Sequence, residues 1–281
     1  MAPIIAATGV TSFRGTFSWP ATLLALLVSL ALQIGVNYAN DYSDGVRGTD
    51  DQRVGPQRLV GSQAATPAAV KRAAFACFAF ACSAGMVITI ATGQWWMILV
   101  GLACVLAAWY YTGGKHPYGY AGLGELFVFV FFGLVAVSGT VLINAWFPPV
   151  RTGWSMPPET WAIATTVGLL SCAVLVINNL RDVATDRAAG KLTLAVRLGA
   201  PTTTWLFLIM IAGAGVALVV ASALTSAWGL LGLAYLIFAV PACRSAITGK
   251  KLLAALPATG LANLTAAAGF TLGLLLASLG R

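Results

Sequence analysis

Apolar residues run along this chain in stretches of about 20, the length of helix that crosses a bilayer. These stretches lie near residues 18–40, 71–92, 95–112, 122–146, 159–180, 202–224, 226–244 and 257–279, bounded by Gly, Pro and charged residues. A transmembrane barrel would alternate apolar and polar positions over about ten residues; here the runs are unbroken, so the spans are helices. Met1 to Thr11 is also apolar but only half a span long, and reads as the end of a further helix. A cleaved signal peptide fits poorly, since no basic residue precedes this stretch and no suitable cleavage site follows. The pattern predicts an all-α polytopic membrane protein, a bundle of about nine transmembrane helices with a short first one, forming one domain over residues 1–281.

Composition agrees. Of 281 residues 59% are hydrophobic and 9% charged, against about 25% charged in soluble domains. A water-covered globular protein is thereby excluded. Lys and Arg number 16 against 8 Asp and Glu, and the placement of the cations decides what the excess means. Counting the N-terminal fragment as the first helix, the loops after helices two, four, six and eight hold Arg47, Arg53, Arg58, Lys71, Arg72, Lys115, Arg181, Arg187, Lys191, Arg197, Arg244, Lys250 and Lys251, thirteen of the sixteen. Only Arg14, Arg151 and Arg281 fall on the other side. The cation-rich face is expected in the cytoplasm, and a surface that binds nucleic acid is not expected. The five cysteines sit inside apolar runs without metal-ligand spacing, so neither disulfide nor metal is inferred from them.

The carboxylates are more concentrated still. Asp41, Asp44, Asp50 and Asp51 follow the second helix, and Asp182 and Asp186 follow the sixth, placing six of eight in two loops on one face. Asn37 precedes Asp41 by four residues and Asn178 precedes Asp182 by four, with an offset of 141 residues between the pairs. If the second helix continues to about Asp44, then Asn37, Asp41 and Asp44 share one side of it. Asn178, Asp182 and Asp186 repeat the arrangement. Oxygen ligands of this kind suit Mg²⁺, which prefers one or two carboxylates, waters and substrate phosphates. Arg181, Arg187 and Lys191 stand among the second set, and a metal-chelated diphosphate needs both kinds of charge. Solvated helix-flanking charges are the plainer explanation for one such loop, but they fit two matched loops poorly.

Between the motifs runs Y-Y-T-G-G-K-H-P-Y-G-Y-A-G-L-G-E-L, from Tyr110 to Leu126. Lys115 is a candidate diphosphate contact. Tyr110, Tyr111, Tyr118 and Tyr120 are candidates to bind phosphate or flank a cation, with an interfacial aromatic belt as the alternative. Glu125, at the start of the fifth helix, is a carboxylate entering lipid and needs a partner or a task. His116, beside Pro117, is expected to be structural.

These residues resemble the UbiA superfamily of intramembrane prenyltransferases, and within it the branch that prenylates 1,4-dihydroxy-2-naphthoate in bacterial menaquinone biosynthesis. The resemblance is carried by N-Y-A-N-D-Y-S-D-G-V-R-G-T-D from Asn37, R-V-G-P-Q-R-L-V from Arg53, Y-Y-T-G-G near Tyr110, G-L-G-E-L-F-V-F-V-F-F-G from Gly122 and N-N-L-R-D-V-A-T-D-R-A-A-G-K-L-T-L-A-V-R-L-G from Asn178. It implies a central cavity capped on the cytoplasmic side by the two motif loops, in a multi-pass protein of the bacterial cell membrane. It further implies that Asn37, Asp41, Asp44, Asp50, Asp182 and Asp186 hold Mg²⁺ directly or through water. Arg58, Lys115, Arg187 and Lys191 would grip diphosphate, and Asn178 matches the polar position that opens the second motif. The basic stretch and full first helix with which the family usually opens have no counterpart before Met1.

The implied reaction is transfer of a polyprenyl group from its diphosphate to the ring carbon bearing the naphthoate's carboxylate, with loss of CO₂ and diphosphate. Asp41 and Asp182 are the expected catalytic carboxylates, and Asp50 or Glu125 the candidate base. Prenyl transfer to another aromatic acceptor is the alternative inside the superfamily. Outside it stand an alcohol phosphatidyltransferase, whose acidic residues form one compact motif, and a cation-dependent transporter, whose site would lie near the bilayer midplane on broken helices.

Overall fold

The computed structural model describes residues 1–49, 58–152 and 156–279. Every helix expected from the apolar runs is present, and no strand occurs among the described residues. In chain order they are α1 (Ala2–Phe13), α2 (Trp19–Arg47), α3 (Pro67–Thr92), α4 (Met97–Tyr110), α5 (Gly124–Trp146), α6 (Pro158–Arg181), a short α7 (Val183–Ala188), α8 (Leu194–Ala223), α9 (Ala227–Thr248) and α10 (Leu252–Leu279). Among the described residues seven helices are long and apolar enough to cross a membrane, and α1 and α4 are shorter apolar helices. Large apolar side chains such as Leu99, Ile209, Val216 and Ile237, each at least 64% exposed, point outward from the bundle. Lipid is the solvent that tolerates them, and the chain is a multi-pass membrane protein.

Helix ends follow local chemistry. The Thr66 hydroxyl accepts from the Ala69 N–H, with Pro67 in the first turn, and so starts α3. Glycine at φ 72° in Gly48 closes α2, a left-handed conformation that a side chain would disfavour. The span expected from residue 202 is preceded by one helical turn from Leu194, because Gly199 (φ 76°, ψ 164°) breaks the helix without ending it and Pro201 restarts it.

The centre of the bundle is α6, packed against α1, α5, α8 and α10. Its crossing with α5 depends on two glycines. A Cβ on Gly133 would stand 2.7 Å from Gly168 Cα, and one on Gly168 would meet the Phe129 ring at 2.8 Å. Here α5 widens into a π-helical stretch, Phe129–Val135, an irregularity often found at functional sites. At the end of the bundle remote from the aspartate motifs, buried Glu159 accepts two bonds from Arg14, at 2.6 and 2.9 Å, and Asn144 Oδ1 accepts from the Ser18 N–H and the Thr22 hydroxyl. These contacts tie α1, α2, α5 and α6 together.

Candidate active site

The helices α2, α5, α6 and α10 enclose a cavity of about 410 Å³. Asn37, Asn40 and Asp44 reach it from α2, Asn178 and Asn179 from α6, Asp182 from the end of α6, and Thr185, Asp186 and Lys191 from the segment beyond. Tyr111 and Thr112 enter from the loop between α4 and α5, and Arg58 from the loop after α2. Val128, Phe132, Val174, Leu175 and Leu256 make the deeper wall apolar. The two motifs, 141 residues apart in sequence, thus meet in one cavity.

The first motif is helical because α2 runs on to Arg47, and its two aspartates then divide. The Asp44 carboxylate is buried, accepts from the Tyr120 phenol at 2.6 Å and lies 3.6 Å from Lys191 Nζ. Burial, reinforced by the Asp44 charge, pushes the Tyr120 pKa above its ordinary value, so the phenol remains a donor. Asp41 instead accepts the backbone N–H groups of Leu59 and Val60 at 2.8 and 3.0 Å and does not line the cavity. One turn on, Gly45 leaves room for Val60, which would lie 2.5 Å from a Cβ at that position. Asp41 and Gly45 therefore dock the loop that carries Arg58. Arg47 donates to the carbonyls of Thr112 and Gly114 and lies over the Tyr120 ring, which brings the α4–α5 loop onto the same face.

The second motif breaks at Asp182, where the backbone leaves the helix (φ −96°, ψ 7°). Arg181 grips both Asp182 oxygens at 2.6 Å and also donates to Asn178 Oδ1 at 2.9 Å. Lys191 stands between the motifs, 3.6 Å from Asp44 and 4.0 Å from Asp186, with its ammonium over the Tyr120 ring. A cation thus already bridges the carboxylates of the two halves. No cluster of three Asp, Glu, His or Cys residues is close enough to cage a metal among the described residues. That suits Mg²⁺, which keeps waters and takes phosphate oxygens rather than a closed protein shell. The donors facing the cavity are hard oxygens, so the residues fit the ion.

Other expected site residues lie elsewhere. Lys115 is exposed in its loop, away from the cavity. Arg187 is exposed too and donates to the Val196 carbonyl at 3.3 Å, fastening α7 to α8. Glu125 is buried behind the wall, where its carboxylate accepts from Asn179 Nδ2 at 3.1 Å and its carbonyl from the Cys172 thiol; Asn179, not Glu125, faces the cavity. Asp50 lies outside the described residues. Asn40, Thr49, Thr112, Asn179 and Thr185 beside the motifs went unnoticed in the sequence, and so did Gln33, Ser171 and Asn263 within the apolar runs. For these last three the available signal was a lone polar side chain interrupting an apolar run.

Residues 1–251 match the UbiA prenyltransferase family. A 1,4-dihydroxy-2-naphthoate octaprenyltransferase of Mycobacterium tuberculosis is 49% identical over 267 residues, covering 94% of this chain and 88% of that protein. Among solved structures, the apo structure of a UbiA homolog from Aeropyrum pernix K1 superposes with a TM-score of 0.75 at 16% identity, covering 99% of this chain and 96% of that one. A UbiA homolog from Archaeoglobus fulgidus bound to DMAPP and Mg²⁺ superposes with a TM-score of 0.60 at 12% identity, covering 96% and 95%.

Proposed function

Because the chain belongs to the UbiA prenyltransferase family, we propose that it transfers a polyprenyl group from polyprenyl diphosphate to 1,4-dihydroxy-2-naphthoate with loss of CO₂. The observation that carries the reading is the meeting of Asp44, Asp182, Asp186 and Lys191 in one cavity with an apolar floor. The acceptor is inferred from relatives named for it, of which the mycobacterial protein spans nearly the whole chain.

Asp44, Asp182 and Asp186, with the side-chain oxygens of Asn37 and Asn178, are the residues that would hold Mg²⁺. The ion, when bound, supplies Lewis acidity that stabilises diphosphate as a leaving group. Lys191 and Arg58 neutralise the same anion, and Lys191 exchanges its carboxylate partners for phosphate oxygens. Arg181 holds both oxygens of the Asp182 carboxylate, so that its orientation does not have to be established at each turnover. As the allylic C–O bond breaks, positive charge develops on the prenyl carbon. Phe132 lines the cavity, and an aromatic face turned to the cation would stabilise it once desolvated. Val128, Val174, Leu175 and Leu256 keep water from the cation. The ring carbon bearing the carboxylate attacks, a C–C bond forms as the bond to diphosphate breaks, and the carboxylate leaves as CO₂, its bonding electrons restoring the aromatic ring to give a demethylmenaquinol.

The bound prenyl tail extends into lipid, and the cation-rich loops face the cytoplasm of a bacterial cell. Incubating the purified chain with Mg²⁺, octaprenyl diphosphate and a set of aromatic acid acceptors tests the reading by mass spectrometry. Dihydroxynaphthoate is expected to be consumed in preference to 4-hydroxybenzoate and homogentisate. Preference for either of those acceptors would overturn the acceptor assignment.

A further inference from the structure

The cavity has a second polar level that the diphosphate site does not use. Ser171 lies eleven residues before Asp182, Gln33 eleven before Asp44, and Asn263 eleven after Leu252, where α10 begins. Eleven residues of helix span about 16 Å, which reaches the middle of a hydrocarbon layer about 30 Å thick. Three helices therefore present polar side chains to one cavity at one depth, where such groups are expensive and usually functional.

Their hydrogen bonds are incomplete in a specific way. Asn263 Nδ2 donates to Ser171 Oγ at 3.0 Å. Asn263 is 9% exposed, and its buried Oδ1 has no partner among the described residues. The Ser171 hydroxyl, having accepted, retains its proton to give. The pair thus holds one unused acceptor and one unused donor side by side, on two residues that line the cavity. An apolar prenyl tail lying here would leave the buried Oδ1 unsatisfied, which is costly. A phenolic hydroxyl, both donor and acceptor, satisfies both atoms.

We propose that Ser171 and Asn263 form the subsite that receives a hydroxyl of the aromatic acceptor, with the Gln33 amide facing the same level across the cavity. The assignment rests on the transfer reaction proposed above. One hydroxyl of a 1,4-dihydroxynaphthoate neighbours the carbon that is attacked, beneath the diphosphate. The other lies across the ring and reaches down to the dyad. Bound in this way, the ring is held by its far edge while its reacting carbon meets the prenyl group, and a single-hydroxyl aromatic lacks the anchor.

The test is equilibrium binding of two acceptors to the purified full chain, with Mg²⁺ and inorganic diphosphate filling the upper site so that no reaction occurs. The wild type is expected to bind 1,4-dihydroxy-2-naphthoate at least about tenfold more tightly than 1-hydroxy-2-naphthoate. Ser171→Ala and Asn263→Ala should bind the two equally while retaining thermal stabilisation by Mg²⁺ and farnesyl diphosphate. The near-isosteric Ser171→Cys should lose most of the discrimination, and replaces the alanine variants if they do not fold. A wild type without discrimination, or variants that keep the full ratio, would overturn the subsite. Discrimination in binding without any prenylated product would instead overturn the proposed reaction and leave the subsite standing.

Discussion

Asp41 and Asp44 stand three residues apart on α2 and have different partners. Asp41 accepts two backbone N–H groups of the following loop, whereas Asp44 faces the cavity with Tyr120 and Lys191. Asparagine keeps one acceptor oxygen but no charge, so the two positions should respond differently. Asp44→Asn is expected to lower kcat about 10²–10³-fold, the usual effect of losing one preorganised electrostatic group. Asp41→Asn should mainly raise KM for prenyl diphosphate, through a loosened Arg58 loop. Steady-state kinetics on both purified variants separates the two. Burial keeps the Tyr120 phenol protonated well above its ordinary value, so the wild-type pH–rate profile should show no loss near pH 10 attributable to that group. Tyr120→Phe should weaken diphosphate binding without altering this profile.

The residue scale also marks what the sequence can carry. Asn37, Asp41 and Asp44 were legible because helical spacing places them on one side, and the second motif because it repeats the first. That Asp41 turns to the loop was not legible, since its partners are backbone amides eighteen and nineteen residues away. Lys115 and Arg187 had the right charge in the right loops, but charge alone does not say where a long side chain points. Gln33, Ser171 and Asn263 were visible singly; only the packing of three helices shows that they share a depth.

At the scale of elements, the shape of the cavity depends on how closely α5 approaches α6. Gly133 and Gly168 permit that approach, and the π-helical stretch beside them carries Phe132 into the cavity. Gly133→Leu is expected to force the helices apart, with destabilisation of about 1–3 kcal/mol typical of overpacking and a larger fall in activity than in stability. Thermal melting and turnover on the same preparation measure both. The apolar runs located every helix, because bilayer thickness fixes their length, but α2 continues seven residues past its expected end, and α8 and α10 begin eight and five residues before their expected starts. The turn preceding the break in α8 was hidden because Gly199 and Pro201 look like a boundary in any one-dimensional reading.

For the molecule as a whole, the motif loops, the cavity mouth and most of the cations share one end. With Mg²⁺ present, prenyl diphosphate at about 100 times its Kd should stabilise the fold by about 2.7 kcal/mol; EDTA should abolish the shift. A cysteine introduced by Lys115→Cys should react with a membrane-impermeant maleimide in inverted vesicles but not in right-side-out ones. The opposite labelling would reverse the orientation expected from the cations. The central claim is that the two aspartate motifs act as one site for decarboxylative prenyl transfer. Its most direct measurement is release of ¹³CO₂ from carboxyl-labelled 1,4-dihydroxy-2-naphthoate, with octaprenyl diphosphate and Mg²⁺ supplied. One CO₂ per prenylated product is predicted for the wild type, and neither CO₂ nor product from folded Asp44→Ala or Asp182→Ala. Prenylated product that retains the label, or undiminished turnover in either variant, would contradict the account.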